Sequence, residues 1–177
     1  DRMAVMSQGG VIQCATPREI YERPMRRYVA DFIGETNFLQ GQFVSQNGVA
    51  QVQIDGQAPI LAAVSEHSLT PGEKVTVAIR PEKITIQALD GQGANGSGHR
   101  PVDPAALNAD GRTSVVRGIV HDSIYIGTDT RYIVQVNDTT QLVARIQNFG
   151  EGFDQRIDRG AQVLAHWAAD NARILLD

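Results

Sequence analysis

The sequence is short of the residues that carry most covalent and metal chemistry. Its single cysteine, Cys14, excludes an internal disulfide framework and fits a reducing compartment. Because Cys14 sits in a β-prone run, it is expected to pack as a small buried hydrophobe. Four histidines, His67, His99, His121 and His166, are scattered, with no pair at helical spacing and no cysteine pair to join them, so no zinc pattern exists. Aromatic residues make up only 6%, and 16 basic against 20 acidic residues leave a net charge of -4. That balance opposes binding to a phosphate backbone, and no nucleic-acid partner is expected. No apolar run reaches the length that spans a bilayer, and the start lacks the basic and apolar segments of a signal peptide.

Catalytic motifs are missing as well. No Gly-x-x-x-x-Gly-Lys-Ser/Thr loop occurs, so there is neither a phosphate cradle nor a magnesium-binding hydroxyl of that type. Gly91, Gly93, Gly96 and Gly98 crowd together, but without a strand before, a helix after and a lysine placed to meet phosphates they read as a flexible insertion. His121-Asp122-Ser123 contains triad residue types, yet neighbours on a strand point to opposite faces and cannot form a hydrogen-bonded relay. Asp55, Glu82 and Asp129 fall near strand ends, where solvated turn carboxylates are the ordinary case, so paired acid-base catalysis has no support. No catalytic, cofactor-binding or metal-ligating residue is assigned, and the chain by itself is not expected to be an enzyme.

What is present is β-rich, after a short mixed start. Met3 to Met6 and Val11 to Cys14 flank the turn cluster Ser7-Gln8-Gly9-Gly10 and predict a hairpin. Thr16-Pro17-Arg18-Glu19 predicts a capped helix start, with proline at the first helical position and a glutamate reaching back to the cap; Pro24 ends that helix. A second helix is expected from near Pro24 to Gly34, with Tyr28, Val29, Phe32 and Ile33 on one face. That face needs a partner surface, either the β-rich remainder or a preceding domain. Arg23, Arg26 and Arg27 form the one basic cluster, readable as a solvated flank or as a match for acidic groups of a partner.

Beyond the helices, Leu39 to Val44 and Val49 to Ile54 surround Asn47-Gly48, a strong hairpin signal. Val75, Val77 and Ile79 alternate as a half-buried strand ended by Arg80-Pro81, and Ile84 and Ile86 continue the pattern. A bend or bulge is expected near Gly118 and His121-Asp122-Ser123. Gly72-x-x-Val75-x-Val77-x-Ile79, with Ile86 and Ala88 beyond, matches Gly160-x-x-Val163-x-Ala165-x-Trp167, with Ile174 and Leu176 beyond, at identical spacings. The simplest account is a duplicated small OB-like barrel unit, since closing short strands into barrels removes exposed edges.

The joint pattern of Asp1-Arg2-Met3-Ala4-Val5-Met6, Gly10-Val11-Ile12-Gln13, Thr16-Pro17 and Glu19-Ile20-Tyr21-Glu22-Arg23-Pro24 resembles the end of the nucleotide-binding domain of ABC importer ATPases. Val29-Ala30-Asp31-Phe32-Ile33-Gly34-Glu35-Thr36-Asn37-Phe38 resembles the junction to their C-terminal regulatory domain. Val77-Ala78-Ile79-Arg80-Pro81-Glu82 and Gly127-Thr128-Asp129-Thr130-Arg131-Tyr132 extend the resemblance. The spermidine/putrescine-importer type fits better than the maltose-importer type.

The resemblance implies a mainly β fold of OB-like, TOBE/MOP-like units preceded by a hairpin and two short helices. Residues 1–37 would end a nucleotide-binding domain, with its switch histidine just upstream of Asp1. Residues 38–177 would form a regulatory and dimerisation domain of two β units, 38–88 and 112–177, with a flexible insertion at 89–111. It further implies ATP and Mg in the parent protein, a second ATPase subunit and permease subunits as partners, and a peripheral place at the cytoplasmic face of the membrane. Arg80, Glu82, Thr128, Asp129 and Arg131 are the expected interface or regulatory residues. Arg80 is read either as a hydrogen-bond donor to a neighbouring turn or partner, or as an ion-pair partner of Glu82 or Asp129. The alternative function is a stand-alone β domain binding an oxyanion or sugar, with Thr128, Asp129 and Arg131 lining the site.

Overall fold

The structure, a computed structural model, describes residues 1–63, 68–89, 103–109, 111–148 and 156–175. The chain opens with the hairpin β1 (Met3–Ser7) and β2 (Gly10–Ala15), then α1 (Pro17–Glu22) and α2 (Arg27–Ile33). The cap of α1 forms as its sequence dictates. The Glu19 amide donates to Thr16 Oγ1 at 3.3 Å, and the Thr16 amide donates to Glu19 Oε2 at 3.0 Å.

Two expectations fail here, each for a visible reason. Cys14 is exposed, because the hairpin register pairs it with Ala4 on the outer face and turns Gln13, opposite Val5, inward. Gln13 is wanted inside: its Nε2 donates to the Arg23 carbonyl and its Oε1 accepts from the Met25 amide, both at 3.0 Å, tying the chain after α1 to the hairpin. The expected apolar face of α2 is also rotated. Val29 packs with Val5 and Ile20 under the hairpin, while Ala30 meets Ala78 and Leu175 of the β domain. Tyr28 and Phe32 are left outside, Phe32 67% exposed, stacked on each other at 5.9 Å. Wedged between two surfaces, the helix buries the stripe that both can reach.

The remaining strands are β3 (Asn37–Asn47), β4 (Val49–Gln53), β5 (Ile60–Ala62), β6 (Lys74–Ile79), β7 (Thr85–Ala88), β8 (Thr113–Tyr125), β9 (Asp129–Gln135), β10 (Gln141–Gln147), β11 (Gln162–Ala168) and β12 (Ala172–Leu175). A four-residue α3 (Pro104–Leu107) precedes β8, and 3-10 turns at Pro81–Lys83 and Ala169–Asn171 precede β7 and β12. Most of the glycine-rich insertion expected at 89–111 lies outside the described residues.

Two five-stranded sheets result, in the orders β12-β6-β3-β4-β5 and β10-β9-β8-β11-β7. They have the same design with one exchange. Each takes its last strand from the other half of the chain: β12 pairs with β6, and β7 pairs with β11. The first sheet closes into a ring where Ala63 bridges Arg173 in parallel, its amide donating to Ala172 and its carbonyl accepting from Ile174. Closure removes a bare edge.

The duplication extends to details that the spacing alone did not reveal. Gly72 and Gly160, at φ +88° and +87°, donate their amides at 2.8 Å to Phe43 and Val120. Phe43 and Val120 are the residues at which β3 and β8 bulge. At the start of each long strand, one side chain clasps the neighbouring barrel's backbone. Asn37 Oδ1 accepts from the Val143 amide at 2.6 Å, and its Nδ2 donates to the Val143 carbonyl at 2.8 Å. Ser114 Oγ likewise accepts from the Leu61 amide at 2.7 Å and donates to the Leu61 carbonyl at 3.3 Å. A buried amide left without its acceptor costs about 1–3 kcal/mol. Ser114→Ala and Asn37→Ala are therefore each expected to destabilise by about that much in urea unfolding, and a loss well under 1 kcal/mol would mean that water replaces the clasp.

One apolar cluster runs through both barrels, from Leu39, Val52, Ile60 and Val77 to Val120, Val134, Leu142 and Trp167. His166 lies half-buried on β11, and burial pulls its imidazole below the ordinary value of 6.5. With the folded pKa depressed, the unfolded chain takes up the proton first, so stability is fully present above 6.5 and declines as pH falls below it. Thermal melts should show that decline, and His166→Gln should flatten it.

Candidate functional site

The connection between α2 and β3, Gly34-Glu35-Thr36, is the point at which the hairpin-helix segment meets the barrels, and it is held from two sides. From one side comes Arg80, at the end of β6 and only 6% exposed. Its Nη1 donates to the carbonyls of Ala30 at 2.9 Å, Gly34 at 2.8 Å and Glu35 at 3.1 Å, and to the Thr36 hydroxyl. Four oxygens around one nitrogen share its two protons. Nη2 reaches the Tyr21 carbonyl at 3.3 Å, and the guanidinium lies over the Tyr21 ring at 4.3 Å. Ala30 belongs to the last turn of α2, whose carbonyls have no helical partner, so a cation there satisfies both hydrogen bonding and the helix dipole. Burial pulls the Arg80 guanidinium below its ordinary range.

Arg80 therefore points into its own chain. The ion pair with Glu82 or Asp129 is not the arrangement found, since carbonyls and a hydroxyl take the guanidinium instead. Glu82 accepts from the Tyr21 hydroxyl at 2.5 Å. Burial, and then that carboxylate, push the Tyr21 hydroxyl above its ordinary value.

From the other side come β9 and β10. Arg131 on β9 donates to Glu35 Oε1, and Arg145 on β10 stands 3.8 Å from Glu35 Oε2 and 3.8 Å from Asp129. These side chains are about a third exposed, so each pair alone contributes little, on the order of 0–1 kcal/mol. Their linkage through one carboxylate gives the group its geometry. Thr128 stays apart in the exposed turn before β9, where its carbonyl accepts from the Asn148 amide at 2.8 Å.

Of the five residues singled out from sequence, four thus converge on one three-residue connection, directly or through a neighbour. The residues that make the convergence are Glu35, Tyr21 and Arg145. Glu35 was visible as part of the junction pattern, but no spacing links it to Arg131, 96 positions away. Arg145 carries no local signal at all.

Elsewhere, Ile124, Tyr125 and Ile126 form an exposed apolar run at the turn from β8 to β9, with Arg156 over the Tyr125 ring at 5.7 Å. Among the described residues no group of histidine, cysteine and carboxylate side chains could hold a metal ion. No helix among them is long and apolar enough to cross a membrane.

This architecture agrees with what known proteins share. Residues 77–175, from β6 to the end of β12, match the TOBE domain family. The chain belongs to the TOBE domain family. Outside the match, the TOBE chain contributes β3, β4 and β5 to the first barrel, together with the hairpin and helices. Relatives align over both parts. The spermidine/putrescine import ATP-binding protein PotA of Ruegeria pomeroyi is 33% identical over all of this chain and 42% of its own length. The PotA 1 protein of Pseudomonas aeruginosa is 34% identical over all of this chain and 41% of its own length. The TOBE chain thus spans about two-fifths of the curated relatives it matches. A crystal structure of the cytoplasmic molybdate-binding protein ModG, with molybdate bound, superposes at a TM-score of 0.56 and 16% identity, over 80% of this chain and 96% of that one. That likeness is one of fold.

Proposed function

We propose that the chain is the C-terminal part of the ATP-binding subunit of an ABC importer for polyamines, with a regulatory and dimerising role. The observation that carries this is the alignment to the PotA proteins along its whole length, hairpin and helices as well as barrels. In this reading residues 1–37 end the nucleotide-binding domain and residues 38–177 form the regulatory domain. ATP and Mg act in the parent protein, and the present chain does not hydrolyse ATP by itself. The parent works as a homodimer beneath two permease subunits at the cytoplasmic face of the membrane.

The grip on Gly34-Glu35-Thr36 gives regulation a physical route. Arg80 fastens the connection to the first barrel, and Arg131 and Arg145 reach it from the second through Glu35, so a displacement of the barrels has a path to α2. Interface contacts to the second subunit fall to exposed groups such as Ile124, Tyr125 and Ile126, because Arg80 is buried. The alternative of a ligand site at Thr128, Asp129 and Arg131 is weaker, since the latter two already have ionic partners.

Two measurements test the reading. The gene upstream of the Asp1 codon should encode a Walker A loop, a Walker B strand and a switch histidine, and an unrelated reading frame there would overturn it. Disrupting the gene should also cut uptake of radiolabelled spermidine and putrescine, and unchanged uptake of both would remove the polyamine assignment while leaving the importer one.

A further inference from the structure

A cleft of about 530 Å³ opens between α1, the start of the connection after it, and the β6–β12 side of the first barrel. Its size falls in the range that accepts small molecules, roughly 300–1,000 Å³. Pro24, Ala63, Ala78 and Ile79 supply apolar lining, and Asn171, on the 3-10 turn before β12, supplies an amide. The charged lining is one-sided. Arg18, Arg23, Arg80, Lys83 and Arg173 contribute five positive charges, against two negative charges from Glu22 and Asp170. The whole chain carries -4, so this concave surface runs against the sign of the molecule.

Both acids of the lining already have partners. Glu22 Oε1 is held by Arg18 Nε at 3.2 Å, and Asp170 pairs with Arg112 at 3.5 Å. Glu82 touches the Tyr21 hydroxyl without lining the cleft. Arg80 is spent on backbone carbonyls. Arg23, exposed and close enough to Glu19 for its charge to act on that carboxylate, and the half-buried Lys83 reach the cleft from elements far apart in sequence. A concave surface lined mostly by one sign of charge concentrates counter-ions of the other sign.

We infer that this cleft binds a small polyvalent anion carrying phosphate or carboxylate groups. Arg23 and Lys83 contact its charged ends, and Asn171 donates a neutral hydrogen bond. The site lies on the line where the hairpin-helix segment meets the first barrel, so an occupant would brace the two together. The inference rests on the cleft alone and stands whether or not the importer reading does.

The test is calorimetric titration of the 177-residue chain with tripolyphosphate and, separately, citrate, in low-salt buffer. Saturable binding of one equivalent is expected for at least one probe, and the stronger one identifies the phosphate or the carboxylate class. Arg23→Ala with Lys83→Ala should weaken binding at least tenfold, and Lys83→Gln alone several-fold. Arg23→Ala keeps the backbone carbonyl that accepts from Gln13. Lys74→Ala, which loses the same single charge as Lys83→Gln but at an exposed position outside the cleft, should leave binding unchanged. No saturable heat with either probe at millimolar concentration, or an equal loss in the Lys74 variant, would overturn the assignment.

Discussion

Alanine at Arg80 should destabilise the chain by about 3 kcal/mol, the largest effect expected of any charged residue here. Truncation removes the guanidinium from the carbonyls of Ala30, Gly34 and Glu35 together, and a buried acceptor left bare costs about 1–3 kcal/mol. The single Thr36 hydroxyl proton still serves one of two carbonyls, Ala30 at 3.0 Å or Gly34 at 3.2 Å, which limits the loss. The stacking over Tyr21 is forfeited as well. Arg80→Lys should recover only part, because an ammonium cannot reach the connection and the Tyr21 carbonyl at once. Guanidinium unfolding monitored at Trp167 measures the change. A shift below 1 kcal/mol would mean that the connection is held mainly by Arg131 and Arg145, and the route from barrels to α2 would have to be redrawn through Glu35.

Gly118→Ala and Gly41→Ala are expected to be comparably severe, for a steric reason. A Cβ at Gly118 would sit 2.4 Å from Val134 Cγ1 and 2.8 Å from the Gln135 carbonyl oxygen; at Gly41 the distances are 2.6 Å to Val52 Cγ1 and 2.7 Å to the Gln53 carbonyl oxygen. Real side chains do not approach so closely, and one of the obstacles in each case is backbone. Overpacking of this kind costs roughly 1–3 kcal/mol, and the double variant should approach the sum because the two sites lie in different barrels. Gly48→Ala, where a Cβ meets nothing within 4 Å, should cost about 1 kcal/mol through its positive φ alone. Melting temperatures of the three variants separate the two causes, and a Gly118→Ala chain as stable as Gly48→Ala would show that the strands can part to admit a methyl group.

These two glycines mark the boundary of what could be read beforehand. The capping box at Thr16, the hairpin turns, the alternation of Val75, Val77 and Ile79 and the paired spacing after Gly72 and Gly160 are local patterns, and local patterns were legible. Gly118 drew notice only as part of an expected bend or bulge, which forms at Val120–Asp122, and Gly41 drew none, because the steric reason for both lies on the next strand. The same distance in sequence hid the pairing of Glu35 with Arg131 and Arg145, and it hid which five strands share a sheet. Cys14 and Tyr28 were misplaced for a related reason. Periodicity gives the existence of a face, whereas its direction is set by what lies nearby, here Gln13's two backbone partners and the narrow space left for α2.

The exchange of β7 and β12 has a consequence for how such a chain can be shortened or inherited. Damage at the C-terminal end does not stay there. A reading frame that stopped before Ala172 would keep every hydrogen bond of the second sheet and yet uncover β6, opening the first barrel on the side where Ala63 meets Arg173. Conversely, a lesion at Thr85 would strip β11 in the other barrel. Neither half is a unit that recombination could carry off intact, so the duplicated sequences are bound to persist, or be lost, as a pair.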